Sequence, residues 1–227
     1  MWQVHEWSGS ARDFHGRDLP MSTALWYVRK QSPAVVLGSS QKEDVANAVA
    51  ARQAGFDVFK RRTGGGAVLV DDTALWVDAT LPRDHPWWTD DVSASMLWLG
   101  DAWSRVLSQL SSTTSFAVHR GAMVRSVASD AVCFAGRAPG EVFATGKNLT
   151  DKKIVGMSQR RSREGARFQC VVYTHWSPHW MALVTGYGLS DSDVSTAAHS
   201  GCGLDDVAIT ASPEQIVTTL AHDLNRR

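Results

Sequence analysis

The chain has 227 residues, enough for one sizeable domain with a complete core, and nothing in it forces a split into two. Lys plus Arg and Asp plus Glu both number 23, so bulk charge argues against nucleic acid or an anionic membrane as partner, and any anion binding must come from local basic patches. Three cysteines without CxxC or Cys/His spacing argue against a disulfide framework and a structural zinc site. No segment has the apolar length of a signal-peptide core or a membrane span, so a cytoplasmic protein is expected.

Residues 1–20 are polar and carry Gly16 and Pro20, which reads as an irregular arm or a short edge strand without chemistry of its own. Met21 to Lys30 fits helix or strand on period alone, and Ala34 to Leu37 is a buried strand ended by Gly38. Ser39 and Ser40 can cap a helix over residues 41–54, in which Val45, Ala48, Val49 and Arg52 recur at helical spacing and which Gly55 stops. Phe56 to Val70, FDVFKRRTGGGAVLV, reads as strand, glycine-rich turn, strand. Thr73 to Leu81 alternates as a further strand before Pro82 and Pro86. From Thr89 the period changes: Val92, Met96, Leu99, Trp103, Val106 and Leu110 describe a long amphipathic helix with Thr89 at its N-cap. Short apolar runs then follow at Phe116 to Arg120, Ala131 to Phe134, Glu141 to Thr145, Lys153 to Ser158 and Phe168 to Thr174, and read as a mainly antiparallel sheet. Ser212-Pro213-Glu214-Gln215 has the cap, N1 proline and capping-box glutamine of a last helix, whose apolar face is Ile216, Val217, Leu220, Ala221 and Leu224. The irregular mixture suits an α+β domain with helices packed on a sheet.

The glycine-rich turn holds the chemistry. Three consecutive glycines exceed what a hairpin needs and leave backbone N–H groups uncovered by Cβ atoms, so an anion can lie against the main chain beside Arg61 or Arg62. The known phosphate-binding fingerprints do not fit, because neither GxxxxGK[ST] nor GxGxxG is present and a strand follows where those motifs need a helix. A plain glycine-rich hairpin with a solvated basic flank is the competing reading.

A second stretch, Asp151 to Arg161, sets Lys152 and Lys153 before an apolar run, Gly156 and Gln159-Arg160-Arg161. Together with Lys60 to Val68 (KRRTGGGAV), Pro33 to Gln41 (PAVVLGSSQ) and Val132 to Phe134 (VCF), it resembles the lipoate-protein ligase family in consistent order over roughly residues 20 to 185. The resemblance implies a single biotin/lipoate ligase-like domain, related to class II synthetases, with a mainly antiparallel mixed sheet. It also implies that Met21 to Lys30 opens as a helix and that residues after about 188 form a helical extension or reduced cover. It further implies an enzyme that uses ATP and Mg2+ to convert lipoate or octanoate to acyl-AMP, then passes the acyl group to a lysine of a lipoyl-domain carrier of the dehydrogenase E2 or glycine-cleavage H-protein type. Nucleic acid and membrane have no part in it.

On this resemblance Lys153 is catalytic, bridging acyl and phosphate oxygens. Arg61, Gly64, Gly65, Gly66, Ala67, Asp71, Gly156 and Gln159 bind substrate or nucleotide, and no metal is held by protein side chains alone. Bringing a carboxylate to an α-phosphate requires fixed cations and N–H groups that neutralise both anions, which is why these residue types belong together. Lys152, Arg62, Arg160 and Arg161 read more readily as solvated. Two family histidines are missing: Val70-Asp71 stands where a His-Asp pair is usual, and Gln169-Cys170-Val171 where Q/H-H-G is usual. Acyl choice and activity therefore stay open, as do two alternatives, an ATP-independent octanoyl or lipoyl transferase with a cysteine nucleophile and a non-catalytic acyl- or nucleotide-binding protein. For the transferase, Cys170 is the candidate nucleophile, because strand alternation can aim it at Lys153. Cys133 reads as an inert buried thiol, and Cys202 lies outside the matched region.

Overall fold

The computed structural model describes residues 1–146, 149–184 and 188–226. The chain begins with β1 (Gln3–Gly9), α1 (Ala11–Gly16), β2 (Ala24–Gln31), β3 (Ala34–Leu37), α2 (Ala48–Gln53) and β4 (Asp57–Lys60). After the glycine-rich turn come β5 (Val68–Val70), β6 (Ala74–Pro82), α3 (Leu97–Leu110), β7 (Ser115–Val118) and α4 (Val127–Ala131). The chain closes with β8 (Val142–Gly146), β9 (Leu149–Arg161), β10 (Gly165–Tyr173), α5 (Asp191–Ala198) and α6 (Pro213–Asn225).

A seven-stranded sheet runs β1-β2-β6-β10-β9-β8-β7, parallel between β1 and β2 and antiparallel elsewhere. A three-stranded sheet, β4-β3-β5, is parallel between β3 and β4 and antiparallel between β3 and β5. Strand alternation divides the large sheet between two cores. On one face Leu75, Val77, Ala79 and Leu81 of β6 and Ala166, Phe168, Cys170 and Val172 of β10 pack with the apolar stripes of α3 and α6. Trp76 and Tyr173 belong to the opposite core, shared with α1, α2, α4, α5 and the small sheet. The α+β architecture read from the sequence is the one observed, and α6 starts at Ser212 with the capping box that the sequence spells.

Four local expectations are corrected. Met21 to Lys30 is not a helix: it contains most of β2, whose Leu25 and Tyr27 enter one core while Val28 enters the other, so the strand lacks the polar face that would have distinguished it. The expected helix over residues 41–54 is a 3-10 turn at Glu43–Val45 followed by the short α2, capped by Asn47 rather than by Ser39 or Ser40. A bridge from Ala46 to Val184 and a bond from Asn47 N–H to Leu183 O draw this backbone out of any continuous helix. Thr89 caps a turn by accepting from Asp91 N–H, and Asp91 then takes the N–H groups of Ser93 and Ala94, so the helix begins only at Leu97. Ala131 to Phe134 is the end of α4 and a 3-10 turn; it meets the chain after the glycines through Ala67 N–H to Ala131 O and Cys133 N–H to Ala67 O.

Candidate active site

The glycine-rich turn is shaped from beneath by Arg61, which is 5% exposed and donates to the carbonyls of Gly64 (2.8 Å) and Gly66 (2.9 Å). In a planar trans peptide the N–H points opposite the carbonyl, so holding the Gly64 carbonyl down turns the Gly65 N–H away from the arginine. Gly65 has φ +98°, which a side chain would strain. Among the described residues no backbone carbonyl accepts from the N–H groups of Gly64, Gly65 or Gly66, whereas Ala67 N–H is already taken by Ala131. Gly38 explains the preceding PAVVLG run: a Cβ there would stand 1.9 Å from the Gly65 oxygen, so two backbones meet with no room for a side chain. Gln41 locks this contact, accepting from Gly38 N–H and donating to the carbonyls of Asp130 and Ala131.

Two cavities meet at Cys133, Met157 and Ser158. The outer one, about 290 Å³, is bounded by Gly64, Gly65, Gly66, Arg125, Arg137, Lys153 and Gln159. The inner one, about 40 Å³, holds roughly three waters' worth of space and is walled by Val68, Val70, Trp76, Phe134 and Val171, with Arg61, Gly156, His15 and Gln169. Gly156 is a necessity of that wall, since a Cβ would stand 2.7 Å from the Phe134 ring.

Lys153 reaches the outer cavity from below and is 1% exposed. Its Nζ lies 2.7 Å from Glu141 Oε2 and donates to Cys133 O at 2.9 Å, between the rings of Phe134 and Phe143 at 5.5 and 5.9 Å. An ammonium has three N–H bonds, so one remains for a ligand in the cavity. Glu141 is itself held by Ala138 N–H and Met157 N–H. Sequence reading missed this carboxylate, though a charged residue directly before the apolar run Val142 to Ala144 was the available signal.

The structure brings together Lys153, Gly64, Gly65, Gly66, Gly156, Gln159 and Arg61, with Arg61 serving as the prop of the turn rather than as an exposed anion ligand. Gln159 sits at the rim and ties down the loop before α3 by accepting from Ser95 Oγ and donating to Val92 O. Ala67 is buried behind the turn. Asp71 lies outside both cavities; its carboxylate accepts from Thr73 N–H and Oγ, closing the turn into β6. Lys152 points to the surface and His199 O, and Arg62 and Arg160 both face Asp18 on the outside.

Two cysteine placements differ from the alternatives weighed in the sequence, the aim of Cys170 at Lys153 and the burial of Cys133. Cys170 alternates into the α3/α6 core, 1% exposed, and burial drives its thiol pKa far up, so it is neither aimed at Lys153 nor ionisable. Cys202 is also buried, which pushes its thiol up to about 12. Cys133 is partly exposed at the junction of the two cavities, both of which it lines. The apolar run that suggested an inert strand residue is in fact a turn folded under the glycines.

A buried cation, three glycine N–H groups that no backbone carbonyl accepts and a narrow apolar recess meet in one place, an arrangement that can take an anion with an apolar tail. The profile of the lipoyl protein ligase A/B catalytic domain matches residues 12–204, and the chain belongs to that family. A bi-partite lipoate protein ligase from Thermoplasma acidophilum, solved within a study of that archaeon's lipoylation system and its E2 lipoyl domain, is 15% identical with a TM-score of 0.72, over 99% of this chain and 82% of its own. Lipoate-protein ligase A bound with ATP is 13% identical with a TM-score of 0.70, over 99% and 84%. The biotin protein ligase of Aquifex aeolicus in complex with biotin and ATP is 7% identical with a TM-score of 0.51, over 99% and 69%. At these identities the likeness establishes the fold. No curated protein matches the sequence, and no helix among the described residues is long and apolar enough to cross a membrane.

Proposed function

We propose that the protein activates lipoate or octanoate with ATP and transfers the acyl group to a lysine amine of a lipoyl-type carrier domain. The observation that carries this reading is the joined pair of cavities, a wide one with Lys153 and the uncovered glycine N–H groups and a narrow apolar one leading from it. The acyl tail would run from the outer cavity with its far end in the inner one and leave its carboxylate beside Lys153. The glycine N–H groups with Arg125 and Arg137 would surround the α-phosphate, so the carboxylate oxygen attacks phosphorus and pyrophosphate departs. The carrier amine then attacks the acyl carbon and AMP leaves. Fixed N–H groups and one buried cation lower the repulsion of two anions without reorganising as charge develops. Glu141, the carboxylate of the outer cavity, is already engaged, so the donor set suits an anion and not a free cation; magnesium would arrive on phosphate oxygens, and no step is assigned to it. ATP–pyrophosphate exchange in the presence of lipoate and of octanoate tests the reading, and absence of exchange with both acids contradicts it.

One observation supports a second reading. Cys133 is partly exposed at the cavity junction, where a thiol can meet an acyl group entering the inner cavity. In that reading the thiol exchanges with an acyl thioester, releasing the donor thiol, and the carrier amine displaces the acyl group from sulfur. Intact-mass measurement after incubation with an octanoyl thioester separates the two: an adduct on the parent that is absent from Cys133→Ser supports the transferase, and ATP-dependent exchange surviving in Cys133→Ser supports the ligase.

A further inference from the structure

One half-buried polar group of the inner cavity has no part in the chemistry above: the imidazole of His15, carried by α1. Its ring lies against Trp76 at 4.5 Å between centroids and meets Phe59 edge-on at 5.5 Å. Its Nδ1 is 3.0 Å from Gln169 Nε2. The orientation of that amide follows from its other contacts: Oε1 faces the hydroxyls of Thr63 and Ser158, both at 3.5 Å, which leaves the amide nitrogen toward the ring. The amide nitrogen therefore donates to His15 Nδ1. Burial, reinforced by the charges of Arg167 and Arg61, holds the imidazole neutral. A neutral ring that accepts at Nδ1 carries its proton at Nε2. Among the described residues no hydrogen-bond partner takes Nε2, and the cavity wall around His15 is otherwise mainly aliphatic and aromatic.

We propose that His15 is the specificity-determining residue of the acyl pocket, its Nε2–H seeking an acceptor on the far part of the acyl group. The inference rests on the acyl-pocket reading and deepens it. A histidine delivered by the N-terminal segment lines the recess in which Val70, at the position of one missing family histidine, supplies none. A saturated alkyl tail would bury this donor against methylene groups, whereas a tail carrying a heteroatom, as the dithiolane of lipoate does, would offer it a sulfur acceptor, weak but polarisable. Leaving one buried donor unpaired weakens binding by roughly fivefold to thirtyfold, so the pocket favours the heteroatom-bearing acid over the alkyl acid of equal backbone length by about that factor.

Calorimetric titration of the full chain with lipoate and with octanoate tests this. The parent is expected to bind lipoate more tightly by the stated factor. His15→Phe keeps the ring on Trp76 but removes the donor, and is expected to bring the two affinities within about twofold. His15→Gln retains an N–H and is expected to keep the preference; should the phenylalanine variant not fold, His15→Met serves as the apolar replacement. An unchanged affinity ratio in the apolar variant, with both acids bound, overturns the inference and leaves the acyl pocket standing. Failure of the parent to bind either acid overturns the acyl-pocket reading and this inference with it.

Discussion

Removing the charge of Lys153 while keeping its length, as Lys153→Met does, isolates one interaction. The ammonium and Glu141 are 1% and 2% exposed and 2.7 Å apart, so water screens them little. At an effective dielectric constant of about 20 their attraction is about 6 kcal/mol, most of it offset by the cost of taking both ions out of water. What the substitution measures is the carboxylate left behind, typically about 3–5 kcal/mol. Glu141 keeps the N–H groups of Ala138 at 2.7 Å and Met157 at 3.3 Å, which puts the expectation at the lower end, about 3 kcal/mol. For a chain of this size that corresponds to a fall in Tm of roughly 6–12 °C. The double variant Lys153→Met/Glu141→Gln removes both charges while its amide oxygen still accepts, so it should recover at least about half of the loss. Both variants should lack ATP–pyrophosphate exchange. Urea unfolding of the parent, the two single variants and the double gives the coupling energy; additive losses, or a Lys153→Met variant as stable as the parent, would refute the buried pair.

The consecutive glycines should respond differently. A Cβ at Gly64 meets nothing within 4 Å, so Gly64→Ala should stay within about 0.5 kcal/mol of the parent, whereas at Gly66 it stands 2.6 Å from backbone atoms of Ser129, Val132 and Cys133 and should cost about 1–3 kcal/mol or more. Equal melting temperatures for the two would contradict the packing under the turn. Cys170→Ser should retain parent-level exchange and any acylation, because the thiol faces away from both cavities; an acyl adduct mapped by peptide mass to Cys170 would refute its placement. The folded-state pKa of His15 is depressed below its unfolded value near 6.5, so below that pH the unfolded chain binds the extra proton. Stability from this group is complete above about pH 6.5 and falls by up to about 1.4 kcal/mol per unit beneath it. Urea midpoints at pH 5.5 and 7.5 should differ less in His15→Phe than in the parent.

The parts of the site written in neighbouring residues were legible. The glycine run, the strand on each side of it and the capped last helix depend on local chemistry, and each lies where its spacing put it, whereas Lys153, which lines the outer cavity, was singled out by the resemblance. Resemblance alone misled at β2, where burial on both faces erased the period that tells strand from helix. Strand parity, which decides the fate of Cys170, could not be fixed without knowing which face of β10 receives the helices. His15 and Glu141 escaped for a different reason: each acquires its role from groups distant in sequence. His15 faces Gln169, and the carbonyls of Phe14 and Arg17 on either side of it receive the guanidinium of Arg167, itself paired with the buried Asp78 at 2.5 Å.

That clamp makes the inner cavity a composite of segments that can separate. β1 is an edge strand of its sheet, paired with β2, and α1 is six residues long, so this arm is held mainly by side chains: Trp2 and Phe14 in the two cores, Arg12 on Asp57, and the grip of Arg167 on the carbonyls of Phe14 and Arg17. Edge segments open at lower free energy than central strands. By thermodynamic reciprocity, an acid that binds only when the His15 wall is closed must hold the arm shut by the free energy with which it binds. Amide hydrogen exchange at Phe14 and His15 would then slow as the acid is added while the central strands β6 and β10 stay unchanged, so that the first sixteen residues report occupancy of a pocket most of whose lining lies fifty or more residues away.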